Sequence, residues 1–143
     1  LSLASELTHT TLTHMLKTYK EFAPHTIWEA YNPVKSEPSL YKKNARLVRP
    51  DFCGWSALGP ISLFIENILG FYNINAHEKV IYWNLHHRCN HGINNLQFGD
   101  ITTDILFNEN LSVQIDTNKN FKLYINSKAY LIEEGMNRIQ IEP

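Results

Sequence analysis

The sequence predicts an α+β protein in which helices come first and strands follow. Apolar residues recur with the period of an α-helix in two segments, residues 3–23 and 59–71. From residue 79 onward the period changes to two, which is typical of half-buried strands. We therefore expect a helical part at residues 1–75 and an antiparallel β-sandwich-like module at residues 76–143.

The first predicted helix, residues 3–23, has one apolar face. Four residues lie at the i, i+3, i+4, i+7 spacing of such a face: Leu12, Met15, Leu16 and Tyr19. Threonines in the same segment lower its helix propensity by about a few tenths of a kcal/mol each. We therefore expect tertiary packing against a partner surface to stabilise this helix, which should end before Pro24.

A long connection with little regular structure follows at residues 24–55. Four prolines interrupt it: Pro24, Pro33, Pro38 and Pro50. Loops longer than about 12 to 15 residues within a compact domain are usually functional or disordered. Aromatic residues occur along the whole connection, and they favour a functional loop: Trp28, Tyr31, Tyr41, Phe52 and Trp55.

The second predicted helix, residues 59–71, is apolar on nearly every side. Pro60 suits the first turn of a helix and Gly70 suits its end. A helix with almost no polar face is expected to be buried on several sides. We therefore expect this helix to lie inside a larger helical assembly.

The strand pattern of the last part of the chain is regular. Short alternating segments are separated by clusters of Asn, Asp and Gly. The predicted strands are residues 80–85, 95–98, 101–107, 111–115, 121–125, 128–132 and 139–141.

The charge of the chain and the length of its apolar runs argue against two classes of partner. The chain has 143 residues, of which 43% are hydrophobic and 19% charged, with a net charge of −1. This composition can build a core, whereas a nucleic-acid binder usually carries a strongly basic surface. The longest apolar run, residues 61–72, is shorter than the ~20 residues that a membrane span needs. We expect neither a nucleic-acid nor a membrane partner.

Two stretches of the connection carry a resemblance to a known family. They read TIWEAYNP at residues 26–33 and RPDFCGWSALGP at residues 49–60. An aromatic-flanked carboxylate followed by a Gly-Trp turn into an apolar helix resembles the C-terminal end of an (α/α)6-barrel glycoside hydrolase. The similar clan holds trehalases, mannosylglycerate hydrolases and family 63 glycosidases. The resemblance implies that the helical part ends an (α/α)6 toroid and that the β-module is appended to it.

Five residues of the two stretches have expected roles. Glycosidic cleavage commonly uses two carboxyl groups, and Glu29 corresponds to the general base of an inverting enzyme. The acid of such enzymes is an Asp earlier in the barrel, for which this sequence has no candidate. Trp28 and Tyr31 are expected to offer apolar ring faces to a sugar, and Trp55 to line the pocket or to pack beneath the loop. Asp51 is expected to brace the loop, not to catalyse.

Histidines and cysteines suggest a metal site that their spacing does not support. His86, His87, Cys89 and His91 are close in sequence, and zinc favours such ligands. On one strand, however, His86 and His87 would point to opposite faces, so we expect turn histidines, no metal and no cofactor. The two cysteines, Cys53 and Cys89, are expected to be free and buried. His25, four residues before Glu29, is a weaker candidate neighbour of the site.

Two functions from different classes are therefore expected. The first is the C-terminal fragment of a bacterial glycoside hydrolase acting on an oligosaccharide or glycoside, inactive alone. Its apolar helix faces would bind the missing N-terminal barrel portion or a second copy of the chain. The alternative is a non-catalytic carbohydrate-binding or structural β-module with a helical arm, marked by exposed aromatics on a sheet face, for which Tyr82 and Trp83 are candidates. The compartment is left open, with a periplasmic or extracellular location preferred.

Overall fold

A computed structural model describes residues 3–49 and 51–142. The expected loop proline Pro50 lies outside these residues. The described part is α+β, as predicted, with helices before strands. The chain divides into two compact units, Leu1–Ile68 and Leu69–Pro143. This division comes before residue 75, where the sequence analysis placed its boundary.

The first unit contains two α-helices among its described residues. Helix α1 spans Leu3–Glu21 and helix α2 spans Gly54–Leu63, with a π-helical turn at Phe64–Leu69 directly after α2. The connection between them has only isolated strand-like pairings within its described part, Tyr31 with Pro38 and Leu40 with Leu47.

Helix α1 packs only in part through the apolar face that its sequence predicts. Its buried residues are small and polar: Ser5, Thr8 and Thr18. The Thr18 hydroxyl donates to the His14 carbonyl oxygen at 2.9 Å, so its burial leaves no unpaired donor. Leu16 and Tyr19 of the predicted stripe are exposed. The predicted stripe is therefore divided, because Leu12 and Met15 are half-buried whereas Leu16 and Tyr19 are exposed.

Helix α2 begins five residues earlier than its sequence predicts. Cys53 precedes it in an extended conformation and makes no side-chain cap, so no capping residue marks the start. Pro60 lies inside α2, not in its first turn. Because proline has no N–H, the carbonyl of Ser56 lacks its helical donor. The backbone passes into the π-helical turn four residues later.

The predicted burial of α2 is wrong for the structure described. None of its residues is buried, and the large apolar side chains of Trp55, Leu58 and Ile61 are exposed. A helix that is apolar all round is normally covered by other elements. Within the described residues, α2 therefore presents an apolar surface of the kind that marks an interface.

The second unit consists of eight described strands. They are β1 (Phe71–Asn75), β2 (Val80–Trp83), β3 (His91–Phe98), β4 (Ile101–Asn108), β5 (Ser112–Thr117), β6 (Phe121–Ile125), β7 (Lys128–Ile132) and β8 (Gly135–Gln140). Strand β1 falls inside the segment that was expected to be helical. Its sequence, Phe-Tyr-Asn-Ile-Asn, does not alternate regularly between apolar and polar residues. In the structure a β-bulge interrupts its pairing with β2.

The strands form two sheets of four, ordered β1-β2-β6-β7 and β3-β4-β5-β8. Neighbouring strands are antiparallel except β2 and β6, which are parallel. Alternate residues are buried in β4, β5 and β6, and rings meet between the sheets, since the ring centroids of Phe98 and Phe121 lie 5.5 Å apart. The residues that fill this core include Phe71, Ile81, Trp83, Phe98, Ile101, Ile105, Phe107, Val113, Ile115, Phe121, Leu123, Ile125 and Ile132.

None of the described helices combines the length and hydropathy that a membrane crossing requires.

Candidate functional site

The segment around Glu29 is held by a hydrogen bond between its two aromatic neighbours. The backbone N–H of Trp28 donates to the phenol oxygen of Tyr31 at 3.1 Å. The Trp28 side chain is 0% exposed, whereas Glu29 and Tyr31 are half-buried. The loop thus fixes the backbone of Glu29 beside a buried anchor. A sugar could reach the Trp28 ring only if this packing opened.

Hydrogen bonds join the two stretches that carry the resemblance. The backbone N–H of Cys53 donates to the carbonyl oxygen of Ile27 at 3.0 Å. The hydroxyl of Ser56, in the first turn of α2, donates to the carbonyl oxygen of Glu29 at 3.2 Å. Residues 26 and 27 positions apart are therefore tied together, before Trp28 and at the Glu29 carbonyl. Sequence analysis placed both stretches near one site but did not identify these contacts.

The carboxylate of Glu29 is left free by this arrangement. Only its backbone carbonyl is bonded, and no hydrogen bond or ion pair to the carboxylate exists among residues 3–49 and 51–142. A general base must be able to accept a proton from water. A half-buried carboxylate without an internal partner satisfies this requirement.

Tyr31 stands in an environment that keeps its phenol neutral. Burial raises the pKa of Tyr31 above its ordinary value of 10.0, and the hydrogen bond from Trp28 opposes this only in part. The His14 ring approaches Tyr31 edge-on at 6.2 Å between centroids. The neutral phenol can donate its own proton while it accepts the Trp28 N–H.

The Trp28 indole adds an unusual donor to this segment. Its Nε1–H is buried and has no acceptor among the described residues. A buried unsatisfied donor costs about 1–3 kcal/mol. Most buried polar groups in native proteins are paired. The residue directly before Glu29 therefore carries an unused hydrogen-bond donor.

Trp55 is placed on the surface together with two charged residues. Its side chain is 58% exposed, and the guanidinium carbon of Arg49 lies 4.6 Å from the centre of the indole. Arg49 also lies 3.6 Å from the carboxylate of Asp51. The Trp55 face is therefore partly covered by a cation. The expected role of Asp51 in bracing the loop stays a prediction. Its contact with Arg49 joins two residues of the same loop, as a bracing residue would.

His25 lies four residues beyond the end of α1. Its Nδ1 is 2.7 Å from the carbonyl oxygen of Tyr19, and the two rings are 6.1 Å apart. Its described bonding is therefore to the helix end, not to Glu29.

The histidines after β2 lie closer together than their sequence suggests. Strand β2 ends at Trp83, so His86 and His87 do not alternate across a strand, and their ring centroids lie 4.4 Å apart. His87 and His91 are 6.2 Å apart, and the Nε2 atoms of both are buried without a described partner. Burial, then the proximity of His86 and His91, lowers the pKa of His87.

This cluster does not form a metal centre in the part of the chain described. No group of three or more His, Cys, Asp or Glu side chains there has the arrangement to hold a metal ion. Both cysteines are free, as predicted. Cys53 is buried as expected, but Cys89 is exposed, so the prediction of burial is wrong for that residue.

Sequence analysis did not single out an open groove on the second sheet. Its volume is about 430 Å³. Asp104 and Asp116 lie directly opposite each other across β4 and β5, and Asp104 accepts a 2.6 Å bond from the Asn95 N–H. The groove is lined by Asn95, Thr102, Thr103, Asp104, Asp116, Thr117 and Asn118.

Neither a protein-family model nor a curated protein nor a solved structure matches the chain. The likeness to (α/α)6-barrel glycosidases therefore rests on the residues of the two stretches, 26–33 and 49–60.

Proposed function

We propose that this chain is the C-terminal portion of an inverting glycoside hydrolase, in which Glu29 is the general base. The observation that carries the proposal is the pair of hydrogen bonds from Cys53 and Ser56 to the backbone on either side of Trp28-Glu29. These bonds hold Glu29 by its backbone and leave its carboxylate free for chemistry.

The chemistry follows from this placement. In an inverting hydrolysis the Glu29 carboxylate takes a proton from water as the water oxygen attacks the anomeric carbon. The bond from that carbon to the leaving oxygen breaks, and the acid protonates the leaving oxygen. Tyr31, held neutral by burial, is suited to donate a hydrogen bond to a sugar oxygen or to the water. Trp55 offers an exposed ring for sugar C–H groups.

The apolar surface of α2 supports the second part of the proposal, that further helices complete the site. Leu58 and Ile61 are exposed on a helix without a buried residue. Helices of a barrel that supply the general acid would cover this surface. A second copy of the chain is the other occupant that would cover this surface. Binding of the barrel helices would be accompanied by hydrolytic activity, whereas binding of a second copy would not.

The test is hydrolysis by the natural gene product that contains this chain. Suitable substrates are trehalose, mannosylglycerate and glucose-containing oligosaccharides, the classes implied by the resemblance. Glu29→Gln should lower kcat by about 10²–10⁴-fold, the usual contribution of general acid–base catalysis, with little change in KM. NMR of the first product anomer should show inversion.

Glu37→Gln is the matched control. Glu37 accepts a 2.9 Å bond from the Asn32 side chain and has a structural contact of its own, so its loss should leave kcat within about tenfold of the wild-type value. Full activity in the Glu29→Gln variant would refute the role of Glu29. A gene product that binds glycans but hydrolyses none would favour the alternative, a β-module without catalysis.

A further inference from the structure

One end of the first sheet of the second unit, where β1 begins, β2 ends and the β6–β7 turn lies, carries a small pocket of about 180 Å³. Its wall is formed by Tyr72, Trp83, Asn84, Asn126 and Ser127. None of these side chains is charged. Pockets for drug-sized ligands are usually about 300–1,000 Å³, so this one suits a single small ring.

Three chain segments around the pocket are cross-linked by hydrogen bonds. The Trp83 indole N–H donates to the Leu69 carbonyl at 2.7 Å, and the Asn84 N–H donates to the Gly70 carbonyl at 2.8 Å. The Asn126 side chain accepts from the Leu85 N–H at 2.8 Å and donates to the Leu85 carbonyl at 3.1 Å. The pocket is therefore built on a fixed frame, which lowers the entropic cost of binding.

Polar groups on the wall remain available after this frame is made. Among the described residues, neither the Asn84 side-chain amide nor the hydroxyls of Ser127 and Tyr72 have a partner. An amide and two hydroxyls can both donate and accept hydrogen bonds. Such groups match the alternating donors and acceptors of vicinal sugar hydroxyls.

Tyr72 supplies an aromatic ring at the same place. It lies at the β-bulge between Phe71 and Asn73, and bulges commonly re-aim a side chain. Its ring is 54% exposed and stands 5.9 Å from Tyr82, which in turn stacks on Tyr124 at 4.7 Å. The tyrosines thus form a row across β1, β2 and β6, with the most exposed ring beside the pocket.

We propose that this pocket binds one pyranose ring of a neutral glycan, held against Tyr72 and hydrogen-bonded by Asn84 and Ser127. The absence of charge on the wall selects neutral sugars over uronic acids and phosphosugars, since an anion would leave water without a compensating partner. The site lies wholly in the second unit and does not depend on Glu29. It is a binding site that would hold the end or a branch of a glycan.

The experiment is a titration of the ¹⁵N-labelled chain with maltohexaose, cellohexaose and mannohexaose, followed by NMR. Glu29→Gln is used as the background, so that binding is read without any turnover. At least one probe should shift the amide signals of Asn84, Asn126 and Ser127. Tyr72→Ala should weaken that binding about tenfold or more, as loss of a ring contact worth about 1.4 kcal/mol would.

Two further variants separate a binding role from a structural one. Leu131→Ala removes exposed apolar surface from β7 at a position outside the pocket wall and should leave binding unchanged. Asn84→Ala keeps the aromatic ring and should still weaken binding, which covers the case in which Tyr72→Ala unfolds. Charged probes, hexauronates of the same length, should bind more weakly than the neutral ones.

Three results would overturn the proposal. The first is no shift at the three pocket residues with any probe up to about 20 mM, a concentration at which even weak sites fill. The second is equal binding by folded Tyr72→Ala and the parent chain. The third is a set of shifts confined to the first unit. None of them bears on Glu29, so the catalytic proposal stands or falls separately.

Discussion

The phenol oxygen of Tyr31 accepts a hydrogen bond from the backbone N–H of Trp28, 3.1 Å away. The bond closes a four-residue span, residues 28–31, around Glu29, so a side chain and not regular secondary structure shapes this part of the loop. Because the Trp28 ring is fully buried, the bond connects the core of the first unit to the proposed base.

Tyr31→Phe should therefore destabilise the first unit while leaving its packing intact. The ring is retained, and the Trp28 N–H loses its acceptor, which costs about 1 kcal/mol. Urea unfolding followed by tryptophan fluorescence would measure the loss. Tyr41→Phe is the control, since Tyr41 is exposed and its hydroxyl has no partner among the described residues. Equal effects of the two substitutions would contradict the structural role.

The same residue gives an alkaline pH dependence. The folded pKa of Tyr31 lies above the unfolded value of 10.0 because burial disfavours the phenolate. Above pH ~10 the unfolded chain has lost a proton that the folded chain keeps, so stability is complete below that pH and falls as pH rises through the folded pKa. Tyr31→Phe should reduce this fall, and an unchanged alkaline slope would count against it.

The fold class was predictable because it depends on local periodicity. Strands β6 and β7 match their predicted bounds, 121–125 and 128–132, since their alternation is regular. Strand β1 was missed because its bulge breaks the alternation. The start of α2 was missed because Cys53 is not a capping residue. Local irregularity, not unusual composition, caused both errors.

The candidate site was predictable in part. The neighbourhood of Glu29 follows from the short stretches themselves, but the bond from Ser56 to the Glu29 carbonyl spans 27 residues and depends on tertiary packing. The proximity of His86, His87 and His91 depends on where β2 stops, which periodicity does not define. Long-range contacts of this kind leave no local pattern in a single sequence.

The second unit should lose stability in mild acid because of His87. Its folded pKa lies below the unfolded value of 6.5, since burial and then His86 and His91 disfavour the charged ring. Below that pH the unfolded chain binds more protons, so stability is complete above pH 6.5 and falls as pH decreases toward the folded pKa. Thermal melts between pH 7 and pH 5, about the range in which histidine titrates, would show the fall.

His87→Gln should make this fall smaller, because glutamine stays neutral throughout. His77→Gln is the matched control, since His77 is an exposed histidine of the same unit. If both variants kept the wild-type slope, the His87 ring would not be the group responsible.

Asp100 should give the second unit a separate acid transition. Its carboxylate lies 2.7 Å from the Lys119 ammonium and 3.2 Å from that of Lys79. The hydrogen bonds from Lys119 and Lys79 lower the pKa of Asp100 from 3.8 to about 2. The stabilisation is therefore present above pH 3.8 and is lost as pH falls through about 2.

Asp100→Asn should lower the melting temperature of the unit at pH 7, and roughly 1 M salt should shrink the difference because the groups are exposed. Glu142→Gln is the control: Glu142 has one lysine partner at 3.5 Å on a highly exposed side chain, and its loss should change nothing measurable. An Asp100→Asn melting temperature that equals the wild-type value at low salt would refute the prediction.

Gly70 should be the least replaceable glycine beside the proposed sugar pocket. It has φ +89°, and a Cβ at this position would lie 2.2 Å from the backbone oxygen of Asn84. Gly70→Ala therefore combines left-handed strain with a backbone clash and should cost about 2–5 kcal/mol. Gly99 has φ +59°, but the nearest neighbours of a Cβ there, atoms of Ala76, are 3.5 Å away. Gly99→Ala should therefore cost only the strain, about 1–2 kcal/mol.

Chemical unfolding of both variants measures the difference. Similar losses would mean that the backbone at Asn84 yields without cost, and the frame of the pocket would then be soft.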